Sequence, residues 1–207
     1  FIVTLGTPGE SAGSTITIAN LTRSAGRGTL GTDMDALGLA QSPVGGVRIF
    51  ATQIEGGAPA SALIGGGGGV GTTTQGILPW AVDYSGEGYL TYGANGLRPL
   101  ATSEYEANLL DAPGSATVNA RITGAQTLTA PRTVNSATFA GAGVSGAHDL
   151  TVTSGAISIS NATVGASTNT LLTGAGNTRE LVIYSGGAAE TLNYNLTTSG
   201  GVTRFGY

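Results

Sequence analysis

Apolar positions in the C-terminal half of the chain recur at a nearly fixed interval. Leu128, Phe139, Leu150, Ile159, Leu171, Val182, Leu192 and Val202 are separated by 11, 11, 9, 12, 11, 10 and 10 residues. Such a gap holds one strand and one turn, so two steps make a unit of about 20 to 22 residues, and fixed periods of that size are the signature of solenoids. In a parallel stack of such units, inward Val, Ile and Leu form continuous ladders while Thr, Ser and Asn face solvent. The alternation in residues 156–161 (AISISN) and 192–196 (LNYNL) fits that scheme.

Helical patterning is almost missing, because apolar residues seldom recur at three-and-four spacing and glycine interrupts nearly every window. Two short exceptions stand out. Residues 32–39 (TDMDALGL) predict one helical turn, and residues 103–110 (SEYEANLL) predict two turns behind Ser103, with Glu106 in the capping-box position. Strands are predicted at residues 14–19, 47–52, 76–84 and 88–92, each bounded by Gly, Asn or Pro. The expected fold is all-β, a right-handed parallel β-solenoid with loop insertions; a β-sandwich, which also turns every eight to twelve residues, is the alternative. Residues 1–115 are expected to form coils carrying long insertions and residues 116–207 regular coils, in one continuous solenoid that is part of a longer protein. The opening residues, Phe1 to Leu5 (FIVTL), read as mid-strand, as in a processed or excised piece.

Composition narrows the function. Glycine supplies 36 of 207 residues and charged residues only 10%, well below the roughly 25% of ordinary soluble domains. Disordered chains share that bias but lack aliphatic residues, whereas this chain is 40% hydrophobic. Lys is absent and the Arg residues are scattered, so no basic stripe exists for nucleic acid. No run of eighteen apolar residues predicts a membrane span, and with no cysteine there is no disulfide or thiolate metal site.

Candidate chemistry is sparse. The one histidine, His148, adjoins Asp149, a base-and-orienter pair in need of a nucleophile, but no G-x-S-x-G elbow occurs. Asp33, Asp35, Asp83 and Glu87 offer oxygen ligands without a calcium-loop pattern, and they read as solvated loop acids. The glycine run at residues 65–69 is followed by Val70, Gly71 and Thr72, not by the Gly-Lys-Ser/Thr of a phosphate loop. It reads as a loop or a tight corner. Glu104 and Glu106 are too poorly placed to argue for paired-carboxylate sugar chemistry. No catalytic, metal or cofactor site is assigned. Trp80, Tyr84, Tyr89, Tyr92 and Tyr105 are concentrated in one stretch and form a candidate interaction patch for glycans or protein partners; a buried core under inserted loops is the competing reading, favoured by the apolar run Pro79-Trp80-Ala81-Val82. Sequons at Asn20, Asn161 and Asn195 are expected by chance in so Thr-rich a chain.

Several segments carry a family resemblance. Residues 21–31 (LTRSAGRGTLG), 47–53 (VRIFATQ), 76–100 (GILPWAVDYSGEGYLTYGANGLRPL), 103–109 (SEYEANL) and 150–157 (LTVTSGAI) resemble bacterial surface proteins built from autotransporter-associated β-strand repeats. The resemblance implies a passenger-like right-handed β-helix on the cell exterior and supplies no catalytic residues. No C-terminal membrane barrel is seen, because the end reads only as a short aromatic tail, residues 204–207 (RFGY). The expectation is a secreted, cell-surface structural protein, not an enzyme: a segment of a filament, sheath or stalk that associates end to end or with further repeats of the same protein. Neither terminus reads as capped by charge or proline. The alternative is an adhesin using the aromatic face, and a β-helix enzyme acting on polysaccharide is the least favoured class.

Overall fold

The computed structural model describes residues 2–3, 13–23, 27–34, 36–39, 46–85, 88–109, 115–166 and 168–206. The chain divides into two compact units, Phe1–Leu63 with Trp80–Leu100, and Ile64–Pro79 with Ala101–Tyr207. It is an all-β protein, with its ordered elements almost entirely strands.

The first unit holds β1 (Ile2–Val3), β2 (Ser14–Leu21), β3 (Leu30–Thr32), β4 (Val47–Ile54), the Trp80–Asp83 part of β5 (Leu78–Asp83), β6 (Gly88–Gly93) and β7 (Gly96–Pro99). Strands β2 and β4 run parallel, with Ile16 opposite Ile49 and Ile18 opposite Ala51. A mixed sheet follows the order β1-β3-β5-β6-β7, parallel from β1 to β5 and closed by the antiparallel β6–β7 hairpin. Every residue of β5 is buried, the continuous apolar character expected of a strand covered on both faces. At the hairpin turn Gly96 has φ +87°, and a Cβ there would lie 2.2 Å from the Ile49 carbonyl oxygen. Only glycine allows β7 to approach β4 so closely.

The second unit is a set of parallel strands in two sheets. One contains β8 (Asn119–Ile122), β10 (Arg132–Ala140) and β12 (Leu150–Ser160) in succession; β14 (Thr170–Thr173) and β15 (Leu181–Ser185) both pair with β12, and in turn carry β17 (Asn195–Thr197) and β18 (Val202–Gly206). The other follows the order β16-β13-β11-β9: β9 (Gln126–Thr127), β11 (Val144–Ser145), β13 (Thr163–Val164) and β16 (Thr191–Leu192). Every pairing in both sheets is parallel, unlike the antiparallel strands of a sandwich.

Apolar side chains align from strand to strand. Ile122, Phe139 and Ile159 form one column, Val144, Val164 and Leu192 a second, and Leu150, Leu171 and Leu196 a third. Phe139 pairs with Ile159 and Leu150 with Leu171, two anchors on in each case, but the later anchors Ile159, Leu171 and Val182 pair with Ser185, Leu196 and Thr203. The repeat is uneven. Ala120 pairs with Ala137, 17 residues on, and Val164 with Leu192, 28 residues on, because β14, a 3-10 turn at Ala175–Asn177 and β15 all fall within the longer step.

Several local expectations are corrected. Among the described residues of 32–39 there is no helical turn: Thr32 ends β3 and Leu37 makes a parallel bridge to Val47, while Asp35 lies outside the described residues. Residues 103–110 form no two-turn helix; a 3-10 turn at Thr102–Glu104 replaces it, and Leu110 lies outside the described residues. Glu104, not Glu106, does the capping: its Oε2 accepts the Ala101 N–H at 2.8 Å while Glu106 enters a parallel bridge to Ala120. Residues 192–196 are not one strand but the end of β16, a corner and the start of β17. The rule that Thr, Ser and Asn face solvent also fails, because Asn119, Asn135, Ser136, Thr138 and Ser158 are all buried.

Candidate functional site

Within the second unit the polar residues concentrate at the bend in the long strands. Core side chains fall on even positions up to Val134 and Val152, then on odd positions from Ala137 and Ile157. That phase change needs an irregular step, visible as a register shift between Val134 and Ser136. Asn135 sits in it. Its Nδ2 donates to Asn119 Oδ1 at 2.8 Å and to the Ile64 carbonyl at 3.0 Å, while Asn119 Nδ2 donates to the Gln75 carbonyl at 2.7 Å. Ser136 Oγ donates to Asn119 Oδ1 at 2.9 Å, Ser154 Oγ to the Asn135 carbonyl at 2.5 Å, and Thr153 Oγ1 to the Ala116 carbonyl at 2.6 Å. Ser154 thus satisfies the Asn135 carbonyl at the irregular step, and the other donors reach carbonyls of neighbouring segments. Beside it lies an open cleft of about 560 Å³ lined by Ile64, Gly65, Ala116, Asn135, Thr153, Thr178 and Arg179.

The glycine-rich segment ahead of this ladder is tied down. Ile64 and Ile77 form an antiparallel bridge at its base, Gly66 and Gly68 donate their N–H groups to the Thr74 carbonyl at 3.2 Å, and Gly71 N–H donates to Glu104 Oε1 at 2.8 Å. Glu104 is fully buried, so its carboxylate joins this segment to the turn at residue 101.

The last strands of the second unit change character. The column Ala120, Ala137, Ile157, Ile183 ends at Arg204, and the column Ile122, Phe139, Ile159 ends at Ser185 and Gly206. Arg204 donates to Ser185 Oγ at 2.7 Å and lies 3.9 Å from Glu190, whose carboxylate also accepts from Ser185 Oγ and the Gly187 N–H. Leu196 and Val202, in register with buried Leu171 and Leu181, are 44% and 45% exposed.

The sequence-predicted residues are scattered. In the first unit Trp80 and Tyr89 are buried, while Tyr84 and Tyr92 are partly exposed. The Tyr92 hydroxyl accepts the Ala51 N–H at 3.0 Å and donates to the Ala51 carbonyl at 2.9 Å, and Arg23 lies 5.8 Å over the Trp80 ring. In the second unit Tyr105 is buried with Arg121 5.9 Å over its ring. These aromatics are engaged in packing and hydrogen bonding within their own units.

His148 is partly exposed, and its neighbour Asp149 accepts the Thr170 N–H at 2.7 Å through Oδ1, a structural task. Asp83 is buried and accepts from Thr32 Oγ1 at 3.0 Å and Ser85 Oγ at 2.5 Å, Asp33 is exposed, and Asp35 and Glu87 lie outside the described residues. Among the described residues no group of three or more His, Cys, Asp or Glu is placed to hold a metal ion, and no helix is long and apolar enough to cross a membrane. The Asn119–Asn135 ladder and the Arg204 end column were missed, because both depend on which residues pair across about twenty positions.

No family model, curated protein or solved structure matches this chain.

Proposed function

We propose that this chain is a structural protein of the bacterial cell exterior, a right-handed parallel β-solenoid of the autotransporter-associated repeat kind that serves as part of a filament, sheath or stalk and performs no catalysis. The observation that carries this reading is the parallel register of the second unit, in which Ile122, Phe139 and Ile159 stack while Val144, Val164 and Leu192 stack in the neighbouring sheet. Chains built this way extend by adding coils, and each added coil extends the same apolar ladders. The buried Asn119–Asn135 ladder supports the same reading, since hydrogen-bonded polar side chains fix register where the apolar pattern changes phase. The apolar Leu196 on β17, in register with Leu150 and Leu171, supports stacking of a further coil, from another copy or from further repeats of the same protein.

An adhesive role at the aromatic stretch is the second reading, and the partial exposure of Tyr84 and Tyr92 is what favours it. Negative-stain electron microscopy of material taken from the native cell surface separates the two. Filaments with a regular subunit repeat are expected. Isolated rods that bind a glycan or protein ligand, and lose it on substitution of Tyr84, would replace the structural reading by the adhesive one.

A further inference from the structure

The cleft beside the polar ladder belongs wholly to the second unit, and its lining is drawn from successive strands of one sheet. Ala116 precedes β8, Asn135 lies on β10, Thr153 on β12, and Thr178 and Arg179 lie between β14 and β15, both of which pair with β12. The cleft therefore runs across the strands, over three inter-strand steps of about 4.8 Å each. Arg179 is held at its backbone and stem but not at its head. Its carbonyl accepts from Thr173 Oγ1 at 2.8 Å and Thr198 Oγ1 at 2.5 Å, and its stem lies so close to Gly174 that a Cβ there would be 2.8 Å from Arg179 Cγ. The residue is exposed, and its guanidinium has no hydrogen bond or ion pair among the described residues. The carboxylate of its chain neighbour Glu180 accepts from Thr203.

Beside this cation the lining offers acceptors. Asn135 is buried at the base of the cleft and spends both amide hydrogens, on the Ile64 carbonyl and on Asn119 Oδ1. Its own Oδ1 has one contact among the described residues, Thr153 Oγ1 at 3.5 Å, and the Thr153 hydrogen goes instead to the Ala116 carbonyl at 2.6 Å. A buried carboxamide oxygen is thus short of a donor, and the Thr153 oxygen keeps a lone pair to accept with.

We propose that this cleft binds uronate residues of an acidic polysaccharide, with the Arg179 guanidinium on the sugar carboxylate and ring hydroxyls donating to Thr153 and Asn135. A uronate carries both groups the cleft lacks, an anion for the planar guanidinium and hydrogens for the acceptors. A free sulfate or phosphate dianion would satisfy Arg179 but bring no hydrogen to Thr153 or Asn135. An extended peptide pairs along a strand edge, whereas this cleft crosses the strands. Its volume of about 560 Å³ falls within the roughly 300–1,000 Å³ of sites that enclose small ligands. The chain carries a net charge of −4, so an acidic polymer is drawn to Arg179 locally and not to the protein as a whole. Binding here does not require the filament role, and the two fail separately.

The test is an amide NMR titration of the chain at low salt with four-unit oligomers of galacturonate, glucuronate and mannuronate, with circular dichroism to show that each variant is folded. At least one oligomer is expected to shift the amides of Thr153, Thr178 and Arg179. Arg179→Gln, a surface change, is expected to weaken that binding at least tenfold, as is methyl esterification of the oligomer's carboxylates, which keeps the rings and hydroxyls. Thr153→Val is expected to weaken it several-fold and Thr153→Ser, which restores the hydroxyl, to retain it. Absence of shifts with all three oligomers, or equal affinity in Arg179→Gln, would overturn the site. Inorganic sulfate or tetraglutamate binding as tightly as the best uronate, with the same dependence on Arg179, would overturn the sugar and leave an anion site of no stated specificity. Regular filaments on native cells alongside a cleft that binds no uronate would remove this site and leave the structural role standing.

Discussion

Asn135 donates its side-chain amide to Oδ1 of Asn119 across 2.8 Å, linking two parallel strands at the position where the core pattern changes phase. Both residues are buried, and between them they satisfy the carbonyls of Ile64 and Gln75. Asn135→Ala removes two buried hydrogen bonds, although the Ile64 carbonyl keeps the Ile77 N–H and Asn119 Oδ1 keeps Ser136 Oγ. A loss of about 1–3 kcal/mol is expected, the sum for two hydrogen bonds, measured by urea unfolding. Asn135→Asp should be no milder, because a carboxylate cannot donate to either acceptor.

Gly155 and Gly141 separate two reasons for glycine. Both have positive φ, +77° and +71°, but a Cβ at Gly155 would lie 1.9 Å from the Glu180 carbonyl oxygen whereas one at Gly141 meets nothing within 4 Å. Gly141→Ala therefore carries only the conformational penalty, about 1–2 kcal/mol. Gly155→Ala adds a clash with backbone and should exceed that by at least about 1 kcal/mol, or abolish folding of the second unit. Equal melting temperatures for the two variants would contradict the close approach.

Tyr194 gives the second unit an alkaline limit. Its phenol is pushed up from 10.0 to about 12, first by burial and second by the Asp149 carboxylate. Its hydroxyl has no hydrogen-bond partner among the described residues. Because the folded value lies above the unfolded one, the neutral phenol favours the folded state; this contribution is complete below pH 10 and is lost as the pH rises towards about 12. Urea unfolding across that window should show stability falling with pH, with a shallower fall in Tyr194→Phe. An identical slope in both proteins would contradict the assignment.

Strand positions were legible because they depend on local pattern. Residues 14–19, 47–52 and 88–92 fall within β2, β4 and β6, and the anchors at Phe139, Leu150, Ile159 and Leu171 are buried in the expected columns. The predicted helix at residues 103–110 failed because a capping pattern was read without tertiary context. Glu104 instead spends its carboxylate on the N–H groups of Ala101 and Gly71, the latter 33 residues away.

Polar function was less legible still. Asn119 and Asn135 fall under the expectation that Asn faces solvent, but both are buried, and Asn135 sits at the phase change between Val134 and Ala137. Arg204 read as part of a short aromatic tail, and only the register supplies its partner Ile183. The aromatic stretch from Trp80 to Tyr105 was legible as a cluster in sequence, but it falls across the two units, with Trp80, Tyr89 and Tyr105 buried.

The parallel register of the second unit bears the whole account, and an engineered disulfide reads it directly. The chain has no native cysteine, Thr127 and Ser145 are Cα partners on β9 and β11, and their exposed hydroxyls lie 2.9 Å apart. Neighbouring strands are about 4.8 Å apart, within the Cα separation a disulfide spans. Thr127→Cys with Ser145→Cys should therefore cross-link fully under mild oxidation without loss of the β circular dichroism signal. Thr127→Cys with Thr163→Cys, two strands apart on the same sheet, should not. Cross-linking of the second pair, or none in the first, would contradict the parallel stack.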